Sequence, residues 1–227
     1  MDSLYRDRVT EGRSIEYLRG YRDALESAGD VTAFTFELRF TTDRAVAQIV
    51  RGKRPAGVSD VGYLMVRTLH GSKTYHLAPQ AQERLVQLDG GDYGIDALLV
   101  RPYAFIEWSV DTTARRTIAG YPCLRATGSR SFNNHRGQLT LQEFEAWFTP
   151  ELPLPYGPQG YDGLPGIILE LTHRSAPTAM AMTYTAREVN LLPDASQIRL
   201  PAVDRTLPRR TQEELDEASK KLLPGRH

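Results

Sequence analysis

The chain has 227 residues, which is enough to bury the core of one complete β-sandwich or barrel domain. Its 28 Lys and Arg residues balance 28 Asp and Glu residues, so it lacks the positive excess that phosphate-backbone binding draws on, and we expect no nucleic-acid partner. The longest apolar runs, such as residues 166–171, reach about six residues, against roughly 20 for a membrane-spanning helix. The sequence therefore predicts one globular domain without a transmembrane segment.

The N-terminus and the cysteine content give information about the cellular compartment of the protein. Residues 1–6 contain no apolar stretch and no small-residue cleavage site, which leaves a cytoplasmic protein or one whose secretory signal has been removed. The single cysteine, Cys123, rules out an internal disulfide and a multi-cysteine zinc site. Its chemistry fits a small buried apolar residue.

Residues 14–27 carry the pattern of an amphipathic helix. Ser14 is a candidate N-cap, and Gly29-Asp30 breaks the chain after the pattern ends. The apolar residues at helical spacing are Ile15, Leu18, Tyr21 and Leu25. We expect this N-terminal segment, residues 1–30, to pack on a sheet, because Gly20 lowers its intrinsic helix propensity.

From Val31 onward the apolar period changes to two, which is typical of half-buried strands. The first candidate strand places Phe34, Phe36 and Phe40 on one face, and we expect that face to point inward. Further candidate strands are 62–69, 73–77, 83–88, 97–100, 104–110, 116–118, 123–127, 142–148, 166–173, 180–189 and 197–200. Their spacing and intervening turn residues predict one antiparallel β domain over residues 31–204.

A second helix is predicted near the C-terminus, within a segment of residues 205–227. Thr211 and Glu214 frame a capping box, in which the hydroxyl and the carboxylate each satisfy a free backbone N–H group. Leu215, Ala218 and Leu222 give this helix a thin apolar stripe. Because the preceding connection is polar and contains proline, the helix is expected at the periphery.

The sequence contains none of the motifs that mark the familiar enzyme classes or nucleotide sites, such as G-x-S-x-G, H-E-x-x-H or G-x-x-x-x-G-K-[ST]. His70 and His76 flank a predicted turn and, with His135 and His173, are the internal histidines. A shared metal ion on His70 and His76 is one interpretation, which would make the chain a metal-dependent hydrolase. The other interpretation is that these histidines are solvent-facing residues of a hairpin.

The segment from Asp89 to Asp96 combines three carboxylates with three glycines. Calcium prefers several oxygen ligands on a flexible loop, so a calcium site is one interpretation. The spacing is neither that of an EF-hand nor that of a calcium-binding β-roll, and an ordinary glycine turn is the other interpretation.

The most unusual segment is residues 150–166, called the strap below. Pro150, Pro153, Pro155, Pro158 and Pro165 fix φ and remove five backbone donors, which excludes a helix or a central strand here. The strap is therefore predicted to be a stiff, extended connection between two strands. Two interpretations remain open: its tyrosines, Tyr156 and Tyr161, offer contact surface to a ligand or partner, or the strap packs on the open end of its own protein.

The same region carries a family resemblance. The segments Trp147-Phe148-Thr149-Pro150-Glu151-Leu152-Pro153, Gly157-Pro158 and Gly163-Leu164-Pro165-Gly166-Ile167-Ile168-Leu169-Glu170 resemble the motif block of the GLPGLI family, secreted proteins mostly from Bacteroidetes. Residues 118–127, which include Gly120, Tyr121 and Cys123, resemble the family's I-x-G-Y-x-C-x-K-A-T stretch, with Arg125 where lysine is usual. The resemblance covers roughly residues 105–172.

The resemblance implies export to the periplasm or cell surface, with the signal peptide removed. It implies no activity, because the family has no assigned biochemical function. The second stretch is also similar to one in lipoprotein carriers, whose fold is a half-open antiparallel barrel wrapped round helices. That fold suits the candidate strands and helices.

The sequence thus predicts a mainly β or α+β protein: a curved antiparallel sheet or half-open β-barrel, an N-terminal amphipathic helix and a short C-terminal helix. We expect a non-enzymatic envelope or secreted protein that binds an apolar ligand or an outer-membrane partner, with no catalytic residue, metal or cofactor. The alternative is a protein-interaction or structural subunit without a small-molecule ligand. The candidate binding residues are Trp147, Phe148, Pro150, Pro153, Tyr156, Gly157, Pro158, Tyr161, Gly163, Leu164, Pro165, Gly166 and Ile167, with Gly120, Tyr121 and Cys123 of the second motif.

Overall fold

The structure is a computed structural model that describes residues 34–50, 54–66, 73–89, 95–101, 106–133, 139–175, 180–192 and 195–222. The chain divides into two compact units, and the described residues of the first are 34–35, 49–50 and 54–66. All other described residues belong to the second unit. The predicted N-terminal helix lies outside the described residues.

The described part of the chain is mostly β-strand, with little helix. In chain order its elements are β1 (Phe36–Phe40), β2 (Ala45–Ile49), α1 (Asp60–Val66), β3 (Lys73–Ala78), β4 (Glu83–Asp89), β5 (Asp96–Arg101), β6 (Glu107–Ile118), β7 (Tyr121–Asn133), β8 (Leu139–Thr149), β9 (Ile167–Ser175), β10 (Met180–Thr185), β11 (Arg209–Arg210) and α2 (Gln212–Leu222). The strands form two open sheets that do not close into a barrel, in the orders β1-β2-β3-β4-β5-β11 and β10-β9-β8-β7-β6. The predicted β-rich, antiparallel and open fold is confirmed. Neither α1 nor α2, the helices of the described ranges, has the length and apolar character needed to cross a membrane.

Alternation along the first sheet decides which residues face the core. In β4, Val86 and Leu88 are buried in one apolar cluster, together with Tyr75 of β3 and Leu99 of β5. The register pairs Tyr75 with Val86 and Val86 with Leu99, so these side chains lie in one row across the inner face. Arg84 lies two residues before Val86 and therefore shares this face.

The second sheet contributes the larger apolar cluster. Ala126, Phe144, Ala146, Phe148 and Leu171 are all at most 3% exposed there. Phe36 of β1 packs against that cluster, and Leu38 and Phe40 pack against a neighbouring one. Of Phe34, Phe36 and Phe40, all expected to point inward, Phe36 and Phe40 are therefore confirmed, and β1 contacts the second sheet although it belongs to the first. Phe34 lies before β1, and its ring stacks on that of Tyr63 with centroids 5.9 Å apart.

A β-bulge in the second sheet separates its two apolar clusters. The register of β8 with β9 shifts between Trp147 and Phe148. As a result Ile168 packs with Phe148, whereas Leu169 packs with Cys123.

The predicted C-terminal helix is confirmed as α2. The Thr211 hydroxyl accepts a hydrogen bond from the Glu214 N–H group at 3.3 Å, and the Glu214 carboxylate accepts one from the Thr211 N–H group at 2.9 Å. Leu215 of this helix is 0% exposed and packs in the apolar cluster of the first sheet. The prediction that α2 lies only at the periphery is thus refined, because one of its leucines belongs to the core.

Several strand assignments differ from the sequence prediction, and β2 was not among the candidate strands. Residues 62–69 were expected to form a strand, but α1 occupies Asp60–Val66, because the Ser59 hydroxyl accepts the Gly62 N–H group at 3.0 Å and caps the helix. Residues 197–200 form no strand: a short 3-10 turn, Ala195–Gln197, precedes an irregular stretch. The two-residue β11 pairs in parallel with β5, which the purely antiparallel prediction missed.

Candidate binding site beneath the proline-rich strap

The strap folds back on itself between β8 and β9 by means of its few remaining backbone donors. The Gly163 N–H group donates to the Pro155 carbonyl at 3.1 Å, and the Tyr161 N–H group donates to the Pro158 carbonyl at 2.9 Å. At its end, the Ile168 N–H group donates to the Tyr156 carbonyl at 2.9 Å. Since the prolines supply no donors, these bonds and the fixed proline φ angles define its course.

One side of the strap is inserted into the protein. Tyr156, Asp162 and Leu164 are at most 1% exposed, and Gln159 is 4% exposed. Tyr156 shares an apolar cluster with Ala45 and Leu77 of the first sheet, whereas Leu164 packs in the large cluster of the second sheet. The strap therefore contacts the inner faces of both sheets.

A buried ion pair joins the strap to the first sheet. Nη1 of Arg84 lies 3.5 Å from Oδ1 of Asp162, and both side chains are at most 2% exposed. The indole Nε1 of Trp108 donates to the Asp162 backbone carbonyl at 2.9 Å, which fixes the position of this residue. Burial raises the pKa of Asp162 to about 6 although Arg84 opposes the shift, so here desolvation outweighs the Coulomb attraction.

Two further arginines lie near Arg84. Arg101 is its direct partner in the β4–β5 register, so both side chains project from the same face. Arg130 of β7 donates from Nε to the Gln142 Oε1 atom at 2.7 Å. Burial lowers the pKa of Arg84 to about 10, and the positive charges of Arg101 and Arg130 contribute to the decrease.

Aromatic rings complete this region on the side of the second sheet. The Tyr161 ring centroid lies 5.2 Å from that of Phe144 and 5.3 Å from that of His173. Arg130 Cζ lies 5.7 Å from the Tyr161 ring centroid, within cation–π range. Burial, followed by the charge of Arg130, lowers the pKa of His173 to about 4, so this imidazole is neutral at pH 7. The residues Arg84, Arg101, Arg130, Gln142, Phe144, Tyr161, Asp162 and His173 are called the arginine–aromatic cluster below.

Several buried polar atoms of the strap and the cluster make no hydrogen bond within the described part of the chain. They are His173 Nε2, both side-chain polar atoms of Gln159, both carboxylate oxygens of Asp162 and the Tyr156 hydroxyl. Buried polar groups in native proteins are nearly always hydrogen-bonded, and exceptions are commonly met by water, an ion or a ligand. Their concentration at the strap makes this the candidate binding site.

Comparison with known families gives a match in this region. Residues 134–170 match the model of a family described as "Protein of unknown function (Porph_ging)". The match spans β8, the strap and the start of β9. Comparison with curated proteins and comparison with solved structures find no significant match.

The structure places the residues of the first candidate motif on two sides of the strap region. Those that are buried are Phe148, Tyr156, Gly157, Leu164, Gly166 and Ile167. Those that are exposed are Pro150, Pro153, Gly163 and Pro165, and Trp147, Pro158 and Tyr161 are half-buried. Trp147 packs against the apolar cluster that contains Cys123 and Ile167, and Arg116 Cζ lies 4.1 Å from its ring centroid. Most residues of the motif thus form the strap and the apolar surface on which it packs.

The second motif meets the first in an apolar cluster. Cys123 is 1% exposed and packs with Ile167, and Tyr121 packs at the margin of the same cluster. Gly120 occupies the β6–β7 turn with a φ of +86°. Burial raises the pKa of the Cys123 thiol, so the thiolate form is disfavoured.

Of the histidine pair, His70 lies outside the described residues. His76 is 8% exposed, which contradicts the interpretation of a solvent-facing residue. It lines a cavity of about 320 Å³ between the first sheet and residues 200–205. In the described ranges, no three His, Cys, Asp or Glu side chains are grouped so that they could hold a metal ion. Residues 90–94 of the candidate calcium segment are also outside those ranges.

Sequence reasoning missed the three arginines of the cluster. A signal was present, because Arg84 precedes Val86 and Leu88 at a spacing of two and so interrupts an apolar face. Arg130 likewise follows Ala126 and Gly128 at alternate positions of β7. Charged residues at core-facing positions are informative exceptions to the pattern of a strand, since burying a charge is costly.

The Tyr156 hydroxyl offers a direct test of the packing described here. Tyr156 is 0% exposed, its hydroxyl is buried without a hydrogen bond to any described residue, and burial raises its pKa to about 12. Replacing it with phenylalanine removes only this hydroxyl, so we expect the free energy of unfolding to stay the same or rise by up to about 1 kcal/mol. Urea denaturation of Tyr156→Phe measures this. A loss above about 1 kcal/mol would show that the hydroxyl has a stabilising partner.

Proposed function

We propose that this chain is a non-enzymatic binding protein of a bacterial cell envelope, exported to the periplasm or cell surface and of the GLPGLI type. Its ligand or outer-membrane partner is bound at the strap and the arginine–aromatic cluster. The segment that matches a known family, residues 134–170, supplies β8, the strap and part of β9, and it overlaps the stretch that resembles the GLPGLI motif block.

One observation carries the proposal. Buried polar atoms that make no hydrogen bond within the described ranges lie beside packed aromatic rings. Ligand sites in proteins are mostly apolar, with a few placed polar groups that fix the ligand's orientation. Tyr161 and Phe144 supply the apolar surface, and His173 and Gln159 supply polar atoms for contact with a ligand. A largely apolar ligand that carries a few polar groups suits this composition.

A binding role accords better with these side chains than catalysis does. The Cys123 thiol is buried, and its raised pKa disfavours the nucleophilic thiolate. Nδ1 of His173 lies 3.3 Å from Nε2 of Gln142, a neutral amide, rather than beside a carboxylate that would orient a general base.

Native mass spectrometry of the protein purified from its own cell envelope tests the proposal. We expect the protein to fractionate with the envelope and to retain a small molecule or a partner subunit. The same measurement on Tyr161→Ala should show loss of the retained species, and Thr183→Ala, which alters an exposed position of β10, should retain it. Fractionation with the cytosol, or retention that Tyr161→Ala does not change, would contradict the proposal.

The alternative, a structural or interaction subunit, is favoured by an apolar surface on β8. Leu139 and Leu141 are 74% and 44% exposed at the start of that strand. Exposed large apolar residues on one face are a feature of protein contact surfaces. Native mass spectrometry would favour this alternative if it shows a retained protein subunit that is lost in Leu139→Ser and kept in Tyr161→Ala.

A further inference from the structure

We propose that the cavity beside His76 binds a small molecule of the size of a substituted benzene that carries a hydroxyl group. The cavity lies on the opposite face of the first sheet from the strap, so this site is separate from that of the proposed function. The features that point to it are the way residues 199–204 cover the sheet, the size of the cavity and the hydrogen-bonding capacity of His76.

The floor of the cavity is the outer face of the first sheet. Tyr75 and Val86 face the inner apolar cluster, so the alternate residues of β3 and β4, His76 and Leu85, face the other way. The register pairs His76 with Leu85 and also with Val46 of β2, so these three side chains form one row across the outer face. All three are at most 8% exposed, so this face is covered by other parts of the chain.

Residues 199–204 pass over this face and are anchored to the sheet at both ends. At the first end, Nη1 of Arg39 donates to the Arg199 carbonyl at 3.0 Å. At the other, the Asp204 N–H group donates to Oε1 of Gln87 at 3.0 Å. The cavity lies beneath the span between these two anchors, so the covering segment and the sheet enclose it together.

The size and the lining of the cavity suit a small molecule. Its volume is about 320 Å³, and apolar residues line it from the sheet and from the covering segment. These residues are Val46, Leu85, Leu200, Pro201 and Val203. Because an apolar cavity of about 150 Å³ holds one benzene ring, this volume accommodates a ring with a short substituent.

His76 gives the floor of the cavity its hydrogen-bonding group. Burial lowers the pKa of His76, so the imidazole is neutral at pH 7, and its Nε2 atom makes no hydrogen bond within the described part of the chain. A neutral imidazole has one donor and one acceptor nitrogen, and a hydroxyl group can both donate and accept, so a hydroxyl matches either tautomer. Of the charged residues that line the cavity, Arg44 and Arg205 are exposed, and Glu83 is paired with Arg209 at 3.2 Å.

Two matched probes test the inference on the full chain: 4-ethylphenol, and ethylbenzene, which lacks only the hydroxyl group. Isothermal titration calorimetry measures both affinities for the unmodified chain and for His76→Leu, whose side chain is apolar and lacks the ring nitrogens. We expect His76→Leu to lower the affinity for 4-ethylphenol about tenfold, because one buried hydrogen bond is lost. The affinity for ethylbenzene should not fall.

A blocking variant and a control locate the bound probes. Val203→Trp should abolish binding of both, because the larger side chain occupies the cavity from the covering segment. Tyr161→Ala alters the strap site and should change neither affinity. In nuclear magnetic resonance spectra of the unmodified chain, the ring nitrogen signals of His76 should shift with 4-ethylphenol more than with ethylbenzene, which keeps the test valid if a variant fails to fold.

The outcomes separate this site from that of the proposed function. If neither probe binds, or if 4-ethylphenol binds without any effect of His76→Leu and without a shift of the His76 signals, the inference is wrong and the cavity holds water only. Binding that Tyr161→Ala abolishes and Val203→Trp does not would place the probe at the strap. That result would contradict the inference and support the proposed function.

Discussion

Replacing Gly157 with alanine is expected to lower the free energy of unfolding by about 3 kcal/mol or more, because a Cβ atom has no room there. It would lie 2.0 Å from the backbone carbonyl oxygen of Tyr161 and 2.9 Å from Cδ1 of Ile168. The φ of Gly157 is −155°, an extended value that any residue adopts, so the cost arises from packing and not from backbone conformation. The carbonyl belongs to the turn that carries Tyr161 and Asp162, and its displacement would move both.

Urea denaturation monitored by tryptophan fluorescence measures this effect, since Trp108 contacts the strap through the Asp162 carbonyl. Gly120→Ala is the matched control: Gly120 has a φ of +86° and no atom within 4 Å of the added Cβ. That variant should lose only the cost of backbone strain, about 1–2 kcal/mol. If Gly157→Ala loses no more than Gly120→Ala, the strap does not pack as described.

The β-strands were predictable where one face is apolar and the other polar. Residues 83–88 and 142–148 show this alternation, and both lie within observed strands, β4 and β8. The strand β2 was missed because its sequence, AVAQI, is almost continuously apolar and contains two alanines, which have low strand propensity. The apolar residues within 62–69 fit a helix or a strand equally well. The hydrogen bond that the Ser59 hydroxyl accepts at the N-terminus of α1 favours the helix.

The location of the strap was predictable, but its partners were not. Proline positions alone exclude an α-helix or a central strand over residues 150–166, whatever the rest of the chain does. The contact of Asp162 with Arg84 depends instead on how two sheets pack and on the register that sets Arg84 beside Arg101. No local pattern encodes such pairings between distant segments, so neither the ion pair nor the arginine–aromatic cluster could be predicted from the sequence.

The interior of the strap region also explains why motif residues need not be ligand contacts. Gly157 and Gly166 are glycines because an added Cβ would meet a backbone carbonyl oxygen at 2.0 Å and 2.1 Å respectively. Ile167 and Cys123 share an apolar cluster. These residues hold the strap, and the strap in turn buries Gln159 and Asp162 and half-buries Tyr161.

Replacing Asp162 with asparagine is expected to remove a pH dependence of stability of about 3 kcal/mol between pH 4 and pH 7. Burial raises the pKa of Asp162 from an ordinary value of 3.8 to about 6 in the folded chain. Between these values the folded state binds more protons than the unfolded state, so this group's contribution is fully present below pH 3.8 and is lost as the pH rises through about 6. An asparagine side chain does not titrate, so Asp162→Asn should gain stability relative to the unmodified chain as the pH rises.

Urea denaturation of both proteins at pH 4, 5, 6 and 7 gives the difference directly. Asp204→Asn is a control, because hydrogen bonds from Thr206 lower the pKa of Asp204 below its ordinary value of 3.8. The contribution of Asp204 is present above that value and is lost only as the pH falls below it, so the difference between Asp204→Asn and the unmodified chain should stay nearly constant from pH 4 to pH 7. A difference between the unmodified chain and Asp162→Asn that stays constant from pH 4 to pH 7 would mean that the Asp162 carboxylate keeps its ordinary pKa, and that Arg84 fully offsets its burial.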